Sequence, residues 1–294
     1  MSYSREEPDP HQARARRLVG SRAARELVPT VPGTSARWHT HDYPGIYCRW
    51  HHHPEHEIHL IQHGTGHTIV GDHIGRFQAG SLFLVGSGLP HHWISDLPIG
   101  GHVVDRDVVF QFHPQWLRDC GSLLPELVTL DALMERSARG IEFSGSTAVD
   151  AATELVAIGT SAGITRLQHI WNLLAVLNAA PTHEAHLLAS PWTPSREGAG
   201  AADLVDQTLA YIFDHVSDHV RLAEAADLAG MSESGFSRYF QRASGQSFTD
   251  TVRKLRLTHA GHLLEQTDLP VSVVSRRVGY LGEWPLLSSA AKAG

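Results

Sequence analysis

The sequence predicts an α+β chain: an all-β barrel towards the N-terminus, a helical middle, and an all-α C-terminal domain. Three observations predict it. From Trp38 to His113, short runs rich in Ile, Val and Phe (EIHLIQH, HTIV, SLFLV, HVVDRDVVFQF) are cut by Gly64-Thr65-Gly66, Gly71-Asp72, Gly80 and Gly100-Gly101, the texture of many short strands in a sandwich or barrel. From Pro114, apolar residues recur at helical spacing, for example Ile164, Leu167, Ile170, Leu174 and Leu177. After residue 201 the pattern is again helical, without strand signals.

Residues 1–35 are polar, Arg-rich and broken by proline, which predicts a flexible arm. The barrel is expected over 36–113. A helical segment over 114–180 is expected to pack on the barrel or to form a homodimer contact through Leu167, Ile170, Leu174 and Leu177. A linker is expected over 181–200, where PTHEAHLLASPWTPSREGAG carries three prolines and two glycines. The remaining domain spans 201–294.

Composition narrows the function. The 294 residues hold 24 Lys+Arg against 31 Asp+Glu, a formal net charge of −7, which argues against a wholesale nucleic-acid coat but not against a local basic face. Cys48 and Cys120 are isolated, so a disulfide-stapled secreted scaffold is not expected. The N-terminus MSYSREEPDPHQARARR is charged where a signal peptide needs an apolar run, and no stretch of about 18 apolar residues follows. A cytoplasmic protein that does not span a membrane is the expectation.

Histidine is the anomaly: twelve of 22 lie between His39 and His92. Within that stretch the spacing Gly45-x5-His51-x-His53-x3-Glu57-x6-Gly64 is followed by Gly80-x5-Gly86-x-Gly88-x2-His91-x3-Ser95. Residues two apart on a strand share a face, so His51, His53 and Glu57 can converge, with His91 arriving from a later strand. Three imidazoles and a carboxylate suit a divalent iron, manganese, nickel or zinc ion, each imidazole needing its second nitrogen held by another acceptor. His52, His56, His59 and His63 are expected to face outward or flank the site, and His39, His41, His67 and His73 to lie at the surface or at strand ends.

This spacing resembles the two-part cupin signature, with Gly86 where that family has Pro and Ser95 where it has Asn. The resemblance implies a small barrel whose His51, His53, Glu57 and His91 either bind a metal or line an effector pocket for a sugar or organic acid without one. No cofactor is required on the second reading.

The segment RLAEAADLAGMSESGFSRYFQRASGQSF is the most informative. Leu222, Ala225, Ala226 and Leu228 form an apolar face, Gly230 breaks that helix, and Ser232 is a natural N-cap for the next. On the second helix Phe236, Phe240 and Ala243 share one side. Ser234, Gly235, Ser237, Arg238, Gln241 and Arg242 are the candidates for DNA contact, Arg238 for a guanine edge and Gln241 and Arg242 for phosphate. A long helix follows with Phe248, Val252, Leu255, Ala260, Leu263 and Leu264 inward, then a short one with Val271, Val274 and Val278 inward. From Phe236 to Arg277 there are seven basic side chains and three acidic ones, a local excess of four positive charges.

LAEAADLAGMSESGFSRYFQRASGQSFTDTVRKLRLTHAGHLLEQTDLPVSVVSRRVGY resembles the DNA-binding domain of AraC/XylS-type transcription regulators. The resemblance implies two helix-turn-helix units joined by a long helix, and a cupin-like barrel as effector sensor and dimerisation module. The chain departs from that pattern after Tyr280: LGEWPLLSSAAKAG holds no Arg, no Phe and a helix-breaking Pro285. The second unit is therefore expected to lack its reading helix. The implied function is a regulator that binds double-stranded DNA as a homodimer under a small-molecule effector, a carbohydrate being one candidate. The alternative is a metal-dependent cupin enzyme, an isomerase or dioxygenase, with a helical appendage.

Overall fold

The computed structural model describes residues 10–19, 21, 23–29, 33–45, 48–98, 100–191, 208, 211–212, 215, 220–244, 247–267 and 269–280. The chain divides into two compact units, Met1–Val28 with Ser35–Pro194, and Pro29–Thr34 with Ser195–Gly294.

The first unit is built from two sheets. One runs β1 (Ala24–Arg25), β3 (His51–His52), β8 (His91–Ser95), β5 (Thr65–Val70), β6 (His73–Gln78); the other runs β11 (Ala185–Leu187), β10 (Ile141–Phe143), β7 (Leu82–Val85), β4 (His56–Ile61), β9 (Val103–Phe112), β2 (Arg37–Tyr43). In strand β4 all six residues are buried, although His56, Glu57 and His59 are polar. Its Ile58 and Leu60 face a core shared with helices, whereas Ile61 joins Val70, Phe77, Phe83, Val85, Leu89 and Trp93 between the sheets. With both faces covered, alternation of polar and apolar residues gives way to near-uniform burial. The β5–β6 hairpin closes on Gly71-Asp72, where Gly71 at φ 57° supplies the left-handed first position of a type II′ turn.

The helical cover comes from α2 (Pro114–Leu123), α3 (Asp131–Ser137), α4 (Gly145–Thr160) and α5 (Gly163–Asn178). From α5, Ile170, Leu174 and Leu177 are fully buried in this core with Leu167 packed against it. Of the two expected uses of these four residues, packing against the chain's own core is the one the structure displays.

Two expected boundaries also shift. Within residues 1–35 lie a helix, α1 (Pro10–Leu18), and strand β1; Ala15 is buried with Trp50, Ile69 and Ile94, so an arm read as loose from its polarity carries one apolar anchor. Within 181–200, strand β11 extends the second sheet through Ile141↔Leu187 and Phe143↔Ala185.

The second unit contains α6 (Leu222–Leu228), α7 (Glu233–Ser244), α8 (Phe248–Gln266) and α9 (Val271–Arg277). Gly230 at φ 61° turns the chain between α6 and α7. Ser232 Oγ accepts from Gly235 N at 3.2 Å and Ser247 Oγ from Asp250 N at 3.1 Å, so both following helices start on a serine cap. Phe236, Phe240 and Phe248 are buried with ring centroids 5.7 to 5.9 Å apart; Ala225, Ala226, Val252, Ala260, Val274 and Val278 are buried too. Leu228, Leu264 and Val271 are instead exposed: the first two lie in the last turns of their helices, and Val271 opens its helix, where the apolar stripe runs past the packed surface.

Among the described residues no helix is long and apolar enough to cross a membrane. The expected loss of the second reading helix falls on residues after Tyr280, outside the described residues.

Candidate functional site

His51 and His91 are cross-strand partners on β3 and β8. Glu57 projects from β4 of the other sheet, and His53 stands in the β3–β4 connection. One ligand atom from each of these four buried residues lies within 4.8 Å of the others. The four sequence-predicted residues therefore meet at one point, with ring centroids of 4.3 Å for His51–His91, 5.0 Å for His53–His91 and 5.7 Å for His51–His53.

The imidazoles are oriented alike. His51 Nδ1 donates to Arg49 O at 2.6 Å, His53 Nδ1 to Glu55 O at 3.1 Å and His91 Nδ1 to Leu89 O at 2.8 Å. A carbonyl can only accept, so each Nδ1 carries the proton in these contacts and each Nε2 is the inward atom. His91 Nε2 is buried without a hydrogen-bond partner among the described residues, 3.6 Å from Glu57 Oε1. His53 Nε2 lies 3.0 Å from Glu57 Oε2, which also accepts from Gln111 Nε2 at 2.9 Å; Glu57 Oε1 accepts from His59 Nδ1 at 2.9 Å.

Electrostatics follow from these contacts. Burial alone would raise the Glu57 carboxyl, but the charge of His91 and the hydrogen bonds from His53 and His59 hold it well below the usual carboxylate range. Burial would likewise depress His53, yet the Glu57 hydrogen bond and charge lift it to about 9. His91, pushed down to about 4 by burial and then by His51, is neutral at pH 7. A neutral, buried imidazole with an unpartnered inward nitrogen is the form that ligates metal, and a dication could take up the inward nitrogens of His51, His53 and His91 together with Glu57. The donor set fits iron, manganese, nickel or zinc.

The adjoining cavity is about 20 Å³ and is lined by Glu26, His51, Glu57, His59, Trp93 and Gln111, among others. Such a volume holds a water or an ion, not a sugar ring.

Of the histidines expected to face outward or flank the site, His59 flanks it: buried, stacked on Trp93 at 3.8 Å and held by Glu57 and, at 3.3 Å, by Asp107. His63 is exposed, whereas His56 and His67, the latter expected at the surface or a strand end, are buried. His59 shares the strand parity of Glu57, a period-2 signal for the inward face. Gln111 was missed although a lone Gln within VVFQF marks a polar position in an apolar run. Glu26 was missed as one of many charges in a polar arm; it lies buried with Oε2 2.9 Å from His51 Nε2.

In the second unit, helix α7 buries Phe236 and Phe240 and exposes Ser234, Arg238 and Gln241, while Gly235 and Ser237 are half-exposed at its flank. The side chain of Arg242 lies outside the described residues. The helix is preceded by α6 and a glycine turn. Short helix, tight turn, and second helix with a polar outer face form the arrangement that sets side chains into a major groove.

Comparison with known proteins bears on this unit. Residues 225–282 match a family described as "Helix-turn-helix domain". The chain is 29% identical over 80 residues to the HTH-type transcriptional activator Btr of Bacillus subtilis, covering 27% of this chain and 15% of that protein. It is 31% identical over 74 residues to the regulatory protein PocR of Salmonella typhimurium, covering 25% and 24%. The chain thus spans less than a quarter of the length of these curated relatives. Among solved structures, the C-terminal domain of AraT, a response regulator from Geobacillus stearothermophilus, is 30% identical over 34% of this chain and 78% of that one, with a TM-score of 0.28. ToxT from Vibrio cholerae aligns over 84% of this chain and 89% of its own at 7% identity and a TM-score of 0.40. Btr, PocR and AraT are each named as an activator or regulator. Residues 225–280, with a capped second helix whose outer face is polar, thus have the arrangement of the helix-turn-helix domain that they match.

Proposed function

We propose that the protein is a cytoplasmic, AraC-type transcription regulator that binds double-stranded DNA through helix α7, and whose first unit is a cupin-like sensor. The observation that carries the DNA reading is the two-sided α7, Phe236 and Phe240 buried and Ser234, Arg238 and Gln241 exposed, within the segment matching the helix-turn-helix family. A homodimer would present two such helices to neighbouring half-sites.

The effector that suits the sensor best is a divalent metal ion. The 20 Å³ cavity supports this over a carbohydrate, as do the three imidazoles whose Nδ1 atoms are tied to backbone carbonyls. Bound there, the ion would supply a fixed double positive charge holding strands of both sheets to one point. His51, His91 and Glu57 would anchor the two sheets, and His53 the connection between them. For such an ion to act as a signal it must bind two arrangements of the protein with different affinity.

The test is selection of a binding site from random duplexes, followed by mobility shift with manganese, nickel or zinc and with chelator. The expected result is sequence-selective binding whose midpoint moves several-fold between the two conditions. No selection of any duplex would overturn the DNA reading; selection indifferent to metal would overturn the effector.

A further inference from the structure

The geometry points to Glu26 as a fifth donor of the metal centre, supplied from outside the histidine motif, so that ion binding fastens the N-terminal strand to the sensor. This rests on the divalent-ion reading above.

Glu26 is 3% exposed, and its Oε2 lies 2.9 Å from His51 Nε2. Its other oxygen, Oε1, is buried with no hydrogen-bond partner among the described residues. An unsatisfied carboxylate oxygen in the interior is costly and asks for a cation or donor. Because His51 Nδ1 is already committed to Arg49 O, Nε2 is the atom that both Glu26 and an ion require. A 2.9 Å separation between a nitrogen and an oxygen is the distance that two adjacent ligands keep when both sit roughly 2.1 Å from one ion.

Charge points the same way. Once the ion has displaced the His53 proton, three neutral imidazoles with Glu57 alone carry one negative charge, and a buried dication would remain uncompensated. Glu26 adds the second, making the buried set neutral, as buried ionic sites require.

The carboxylate reaches the site through little backbone. Strand β1 pairs in parallel with β3 over two residues, Ala24↔His51 and Arg25↔His52, with Ala24 N donating to Trp50 O at 3.1 Å and Glu26 N to His52 O at 2.8 Å. So short a ladder contributes little alone and opens readily. A ligand bond at its end would change that opening more than any bond within a long strand could.

The experiment uses the full chain with manganese, nickel and zinc as separate probes. Affinity is read by calorimetry, and opening of β1 by hydrogen exchange at the Ala24 and Glu26 amides. Ion binding is expected to slow exchange at both amides at least tenfold. Glu26→Gln should weaken ion binding about tenfold or more and abolish the slowing, while Glu26→Asp, which keeps the charge, recovers part of both. Circular dichroism of each variant establishes that it folds. If wild type binds the ion but Glu26→Gln binds it equally and amide exchange ignores it, the fifth-donor role is overturned and the motif's metal site stands. If wild type binds none of the three ions, both are overturned.

Discussion

Gln111 Nε2 donates to Glu57 Oε2 at 2.9 Å across the β4–β9 ladder, where the two residues are direct partners. The amide holds the carboxylate in the plane that faces His53 and takes up a lone pair that no water reaches. Gln111→Leu keeps the volume and removes the donor. Manganese or nickel binding by calorimetry should weaken about 10- to 100-fold, the usual loss for a group that orients a ligand; His63→Ala, at an exposed site, should leave it unchanged.

Gly159 lies in the last turn of α4, and a Cβ there would stand 2.2 Å from the Trp38 ring, whose Nε1 donates to Leu155 O at 2.8 Å. Alanine normally stabilises a helix over glycine by about 0.5 to 1 kcal/mol. Here the indole is trapped between its hydrogen bond and the core, so Gly159→Ala should destabilise by about 1 to 3 kcal/mol, an overpacking loss. A higher urea midpoint for the variant would show that the ring can move aside.

Glu184 caps α4 from a different element: its carboxylate accepts from Thr147 N at 2.9 Å and Ser146 N at 3.2 Å, where Ser144 makes no side-chain cap. Hydrogen bonds from Thr147 and Ser146 lower its pKa to about 2. The folded value lies below the unfolded one, so the stabilisation is complete above roughly pH 4.3 and is lost as pH falls through about 2. Glu184→Gln should lower the thermal midpoint at pH 7, and the gap from wild type should close between about pH 4 and 2. A gap that persists below pH 2 would assign the effect to something other than the charge.

Arg238 stands exposed on α7, on the face opposite the buried Phe236–Phe240 pair. Arg238→Ala should weaken binding to a selected duplex by about 1 to 3 kcal/mol and relax preference at one base pair. Arg253, 3.1 Å from Asp250 on the following helix, serves as the comparison: its replacement should affect all duplexes alike. Equal binding by wild type and Arg238→Ala would remove α7 as the reading helix.

Much of this was legible in the sequence, for reasons that differ by element. The strands announced themselves through β-branched runs cut by glycine, and His51, His53, Glu57 and His91 through a spacing that two sheets must bring together. The capped α7 followed from Ser232 and the Phe236/Phe240 periodicity. Periodicity says only that a face is buried, never against what, so Ile170, Leu174 and Leu177 read equally as a dimer face or as core until the structure placed them at 0% exposure within the chain's own core. Glu26 had no pattern to reveal it. A single carboxylate in a polar segment comes to the site only through a two-residue pairing of β1 with β3.

Strand β10 pairs with Leu82–Val85 and then with β11. A fragment cut at residue 113 would leave β7 with an open row of amides and carbonyls, and Leu82 and Leu84 stripped of Ile141, Leu155 and Ile170. Such an edge recruits strands from other molecules. The shortened fragment should therefore precipitate or aggregate, while one ending near residue 190, which keeps β10 and β11, should stay in solution.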